Sequence, residues 1–403
     1  MQNYGAQSAK RLTPPKTRGM TPTVAKPKGQ SVTADYVMYA WECSHFSAKL
    51  RGFLNHKRVS YEEKTCTLYD LLSTIPRNTG VRAMPVLRGR SGQWLVDTPE
   101  IMAQLERLHP DRPCIAATPR QDMLAQLFEN WFDDGLMAVS LRTRWAYPEN
   151  WDTLLRDASA RDLLPGIPLF ISRRVAAKVF KSSMSRAQTV VGLRPGGQEE
   201  QLEGWALELF DLLEVHFAAH DYLFGGHPSV ADFALLGCLA AHVNRDPWPR
   251  REWMAARPVL AAWSDRLHNG EGAHGDLLPD DAIAPTLEPL VAMMLDEMPV
   301  LLSESAAAIE DVVKAENLTS GAGLPRTLRD VTARLDGGDY IRNPFSYTVW
   351  RMQRIQTAFG ALDTKAQASV RALLEPYGRG DLMTQRFGPP LERAGLGTRL
   401  AKA

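Results

Sequence analysis

The stretch MPVLRGRSGQWLVDTPEIMAQLERL, residues 84–108, decides how the first third of the chain folds. Pro85–Arg88 and Trp94–Val96 are short β-rich runs on either side of a Gly89-to-Gly92 turn, a hairpin pattern. Thr98 then offers an N-cap with Pro99 at the first helical position, and Ile101, Met102, Leu105 and Leu108 supply an apolar helical face. A hairpin followed by a helix needs partner strands, and the preceding residues supply them. Tyr36–Trp41 is β-rich with aromatic ends. Ser44–Lys57 sets Phe46, Leu50, Phe53 and Leu54 on one helical stripe. Val59–Lys64 reads as a second strand and Leu68–Ile75 as a short helix.

The resulting order, β-α-β-α-β-β-α over residues 34–112, is thioredoxin-like. Three segments within it carry chemistry. Ser44-His45-Phe46-Ser47 opens the first helix directly after the first strand. Met84-Pro85-Val86-Leu87 has the pattern of a cis-proline turn before the third strand. Asp97-Thr98-Pro99-Glu100-Ile101 puts an acid and a hydroxyl at the start of the third helix. Together, in this order and spacing, they resemble the glutathione transferase superfamily, and in particular its long bacterial-type members with serine at the active-site position. The resemblance implies glutathione as co-substrate, Ser44 as the catalytic residue, and Met84, Pro85, Asp97 and Thr98 as the residues that hold the tripeptide. It also implies a homodimer, a small hydrophobic electrophile as second substrate, and a cytoplasmic enzyme.

Each position has a physical reason. Unpaired N–H groups and the positive dipole end of a helix favour an anion at its N-terminus, where Ser44 falls. A thiol with pKa ~8.5–9 must be lowered by roughly two units, about 2.7 kcal/mol, to ionise at neutral pH. A charge-assisted hydrogen bond of ~1.5–3 kcal/mol supplies most of that, and a helix terminus of ~0.3–1 kcal/mol part of the rest. The Met84 backbone can pair strand-like with a peptide, or Pro85 can simply enter an edge strand in trans. Asp97 suits a ligand ammonium and the helix N-terminus its carboxylate, although plain helix capping explains the pair equally well. Cys43, one residue before Ser44, is a competing thiol. His45 is expected to be an exposed helix-start residue, or else to titrate near neutrality against a second substrate.

From Arg120 onward β-signals give way to helical periodicity. Residues 118–270 are expected to form an all-helical transferase-type domain, with a long helix over Met123–Trp145 lining the cleft. Asp133-Asp134 within it reads as a solvated or capping pair, with an acid/base carboxylate pair as the alternative. Ser229 and Asp232 have N-cap-to-N3 spacing before an apolar run, which reads as a buried structural capping box. Residues 271–403 read as a helical extension, with helices over Leu287–Val313 and Pro344–Leu374 that pack on the body or cover the cleft or a dimer face. Residues 1–33, basic, proline-bearing and free of acids, read as a disordered arm, with organelle targeting as the alternative.

The whole-chain numbers narrow the function. A length of 403 residues suits two or three domains, and a net charge of +1 gives no global field to recruit nucleic acid or an anionic membrane. The four cysteines, without any C-x-x-C pair, fit neither a disulfide framework nor a zinc site, so no metal is expected. No apolar run is long enough to span a bilayer. The same thiolate chemistry could serve isomerisation, ether cleavage or dehalogenation, and a non-catalytic scaffold built on a transferase fold is the remaining alternative.

Overall fold

Strand β1 (Tyr36–Ala40) lies inside a four-stranded sheet of order β2-β1-β3-β4, where β2 is Tyr61–Thr65, β3 Val86–Gly89 and β4 Trp94–Val96. The computed structural model to which this sheet belongs describes residues 34–194, 196–272 and 274–402; the basic arm expected over residues 1–33 lies outside the described residues. β1 pairs parallel with β2 and antiparallel with β3, and β3 pairs antiparallel with β4. Because strand side chains alternate, Met38 and Ala40 face the main core, while Tyr39 packs with Cys66, Ile75 and Val86 on the other face. Helix α1 (His45–His56) and helix α3 (Thr98–Leu108) cover the first face. The opposite face is covered by a helical stretch that begins as a π-turn at Asp70–Thr74 and ends as α2 (Ile75–Thr79).

The helical body consists of α4 (Pro119–Trp145), α5 (Pro148–Asn150), α6 (Arg156–Leu163), α7 (Leu169–Val190), α8 (Gln198–Ala219), α9 (Val230–Cys238), α10 (Pro247–Glu252) and α11 (Pro258–Asn269). α1 lies closely on α9. A Cβ at Gly52 would fall 2.3 Å from Leu236 Cδ2, so a residue without a side chain lets the two helices approach. The expected capping box opens α9: Ser229 N–H and Oγ both donate to Asp232 Oδ2 at 2.8 Å, and Leu223 N–H donates to Oδ1 at 3.0 Å. Among the described residues no helix is long and apolar enough to cross a membrane.

The extension contributes α12 (Glu288–Ala315), hairpin β5 (Val331–Leu335) with β6 (Gly338–Arg342), α13 (Ser346–Gly360), α14 (Thr364–Leu374), and hairpin β7 (Leu391–Ala394) with β8 (Gly397–Leu400). α12 falls where a helix over Leu287–Val313 is expected, and the run expected over Pro344–Leu374 is helical but broken into α13 and α14. The two hairpins are not expected from the sequence, and both tighten around glycine turns. Asp336 and Gly337 between β5 and β6 take φ values of 48° and 67°, the left-handed pair that a two-residue hairpin turn requires. The extension is not a separate layer. Leu290, Met294 and Val349 share one core with Phe128, Phe132 and Leu209 of the body.

Candidate functional site

The three expected segments converge from the head toward α4, each fixed by local structure. Arg144 of α4, itself buried, pairs with Asp246 at 2.8 Å and donates from Nη1 to the Cys43 carbonyl at 2.5 Å. This anchors the loop that leads into α1 and leaves Ser44 as the helix N-cap. The Ser44 Oγ accepts from the Ser47 N–H at 3.4 Å, and among the described residues its own O–H has no acceptor. Burial pushes the Cys43 thiol up, away from the ionised form, despite the nearby Arg144 charge.

His45 departs from expectation. It is 7% exposed, its Nδ1 lies 3.0 Å from Ser140 Oγ, and burial with the Lys49 and Arg144 charges drives its pKa down to about 3. The reason is the close approach of α9: Gly237 sits against the imidazole ring, which therefore packs into the body instead of facing solvent. It is neither an exposed helix-start residue nor a group that titrates near neutrality.

The Met84–Pro85 peptide is cis. At the next segment the cap lies one residue earlier than expected: Asp97 is the N-cap of α3, Thr98 the first helical residue and Pro99 the second. Asp97 has φ 77° and ψ 108°, a conformation that L-residues rarely adopt and that commonly marks a functional constraint. Its side chain makes no capping bond. Instead the extension engages it: Tyr347 Oη donates to Asp97 Oδ2 at 2.6 Å and Arg393 Nη1 at 3.1 Å. Burial raises the Asp97 pKa, opposed by the Tyr347 hydrogen bond and by the charges of Arg351 and Arg393.

Met84, Pro85, Asp97 and Thr98 line one cavity of about 250 Å³. Phe46 of α1 and Asn130, Asp133, Asp134 and Met137 of α4 form further walls, and Arg326, Phe345, Tyr347, Thr348, Arg351 and Leu396 of the extension close it. Ser44 is not among the lining residues; Phe46, two positions on, is its nearest representative there. The first turn of α1 thus reaches the cavity through Phe46, with Ser44 outside the lining.

Asp133 and Asp134 also depart from expectation. Neither is solvated or capping. Lys49, with its side chain fully buried, reaches Glu129 and Asp133 at 2.7 Å, and Arg351 reaches Glu129 at 2.5 Å and Asp133 at 3.2 Å. Asp134 pairs with Arg342 at 2.7 Å. Sequence reasoning missed Tyr347, Arg351 and Arg393 because their partners lie more than 200 residues away in sequence.

Residues 38–113 match the sequence model of the glutathione S-transferase N-terminal domain, and residues 199–266 that of the glutathione S-transferase C-terminal domain. No curated protein sequence matches the chain. Solved structures that resemble it include a glutathione S-transferase from Methylobacterium radiotolerans in complex with glutathione sulfonate, 22% identical, covering 62% of this chain and 99% of that one with a TM-score of 0.36. Another is the β-etherase LigF from a Sphingobium strain, 15% identical, with coverages of 64% and 98% and a TM-score of 0.40. A third is a glutathione transferase from Phanerochaete chrysosporium, 17% identical, with coverages of 59% and 98% and a TM-score of 0.41. The two matches fall one on the head and one on the body, in that order along the chain.

Proposed function

We propose that the chain is a glutathione-dependent enzyme of the transferase type, with glutathione as co-substrate and a small, largely apolar electrophile as second substrate. The observation that carries this reading is the shared cavity: Met84-Pro85 and Asp97-Thr98, two segments singled out from sequence, line the same space beside the first turn of α1. Glutathione would supply a thiol nucleophile there. Ser44, with its O–H free to donate, would stabilise the thiolate. The Met84 backbone would pair with the peptide, and Thr98 and the start of α3 would receive its γ-glutamyl carboxylate. Asp97 would receive the ammonium once Tyr347 and Arg393 give way. Conjugation, isomerisation, ether cleavage and dehalogenation can all use such a thiolate, and product analysis separates them because isomerisation returns glutathione unconsumed. The reading also takes the enzyme as cytoplasmic and as a homodimer, and sedimentation of the purified chain tests the dimer.

A second reading, a binding or scaffold protein without catalysis, draws support from one observation: the Asp97 carboxylate already has two partners within the chain. Calorimetric titration with glutathione decides between them. Micromolar-to-millimolar binding that Asp97→Ala weakens is the result expected of the enzyme. A folded protein that takes up no glutathione leaves the scaffold reading in its place.

A further inference from the structure

The carboxylates of the cavity are already neutralised. Asp97 is met by Arg393 and Tyr347, Asp133 by Lys49 and Arg351, and Asp134 by Arg342 and the Thr348 hydroxyl. Two cations in the lining are not. Arg82, in the loop ahead of Met84, and Arg326, from the extension, have no ion-pair or hydrogen-bond partner for their guanidinium groups among the described residues. The remaining lining is apolar and comes from all three parts of the chain, with Phe46, Met137, Phe345 and Leu396.

This distribution selects by charge. Unless its counter-ions give way, as the glutathione-dependent reading requires of Asp97, a buried acid offers little to a ligand amine. Two guanidinium groups without an acceptor offer a forked, charge-assisted grip on a planar anion. We propose that the cavity takes a carboxylate-bearing aromatic or alkyl compound as second substrate, its apolar body against Phe46, Met137, Phe345 and Leu396, and its carboxylate on Arg82 and Arg326. Naming it a second substrate rests on the glutathione-dependent reading above; its binding does not. Since Arg326, Phe345 and Leu396 belong to residues 271–403, the extension sets the specificity.

The test is calorimetric titration of the full chain with 4-nitrobenzoate and its neutral isostere 4-nitrobenzamide. The same pair is then titrated against Arg82→Gln, Arg326→Gln and the double variant. The acid binding at least ~10-fold tighter than the amide, with the preference abolished in the double variant, is the expected result. Both arginines are exposed, so unchanged thermal unfolding should confirm that the variants fold. Equal affinities for acid and amide, a preference that survives the double substitution, or no saturable binding of either compound would overturn the proposal. Repeating the acid titration with saturating glutathione separates the two sources of a carboxylate. If glutathione displaces the acid, and Arg326→Gln weakens both equally, the arginines hold the tripeptide and the assignment to a second substrate fails. If glutathione does not bind but the acid does, the glutathione-dependent reading fails while the anion site stands.

Discussion

Asp97 sits under two constraints, a rarely used backbone conformation and a carboxylate claimed by two groups from the other end of the chain. Any ammonium that approaches it has to compete with Tyr347 and Arg393. Charge-assisted hydrogen bonds of this kind contribute ~1.5–3 kcal/mol each, less where water can screen them. Tyr347→Phe combined with Arg393→Gln should therefore raise glutathione affinity roughly tenfold, read by calorimetry. An affinity unchanged or lowered would mean that these two groups help to hold the ligand. Ser44 makes a different demand, since its contribution belongs to thiolate stabilisation. Ser44→Ala should lower turnover by about tenfold or more with glutathione affinity nearly unchanged, and full retention of turnover would leave Ser44 as a helix cap alone.

At the level of elements, α13 is joined to α1 and α4 by the set Lys49, Glu129, Asp133 and Arg351, in which two cations and two carboxylates are removed from water together. Such a set adds little when complete, but removing one member strands a buried charge at a cost of about 3–5 kcal/mol. Arg351→Met should destabilise the fold by about that much in urea unfolding; a loss under about 1 kcal/mol would show that water reaches the remaining charges. The capping box is a smaller case. Asp232→Ala leaves the Leu223 and Ser229 donors without their acceptor and should cost about 2–3 kcal/mol. These two features mark where the sequence could be read and where it could not. The capping box lies within four residues and repeats a local pattern, so Ser229 and Asp232 were legible. The charge set depends on α13 meeting α4 across more than 200 residues, and an aspartate on a helix carries no local sign of such a partner. The β5–β6 hairpin falls between these cases: Asp336-Gly337-Gly338 is a turn signal, yet one set in a stretch whose polarity reads as a linker. For the candidate site, Met84, Pro85, Asp97 and Thr98 stand out through their resemblance to a family pattern, and the structure shows that they line one cavity. The wall from the extension has no such pattern to betray it.

Across the molecule, head, body and extension are bound into one core, and the residue that best reports this is Glu297. It lies on α12, is 5% exposed, and accepts hydrogen bonds from Trp131 Nε1 of α4 at 3.0 Å and Trp205 Nε1 of α8 at 2.7 Å. Burial pushes its pKa up to about 8 from an ordinary 4.5, against the two indole hydrogen bonds, which favour the carboxylate. The folded protein therefore keeps this proton over a pH range in which the unfolded chain has lost it. Stability drawn from the protonated form is full below about pH 4.5 and drains away as pH rises toward 8. Glutamine keeps the shape and one carbonyl acceptor but has no proton to lose. Glu297→Gln should thus unfold with a shallower fall in stability between pH 5 and pH 8. The difference between the two proteins should grow across that window by an amount on the order of a few kcal/mol. Urea unfolding at the two pH values measures it directly, with the other buried acids, Asp122 and Asp232, contributing equally to both proteins. Parallel pH profiles would mean that Glu297 ionises without penalty, and hence that water enters where α4, α8 and α12 meet. The shared apolar core and the charge set on α13 would then join the extension to the body without help from Glu297. A steeper wild-type profile would show that Glu297 keeps its proton inside the joined core. Removal of residues 271–403 would then expose that site as well as the apolar core they share with the body, with unfolding as its consequence.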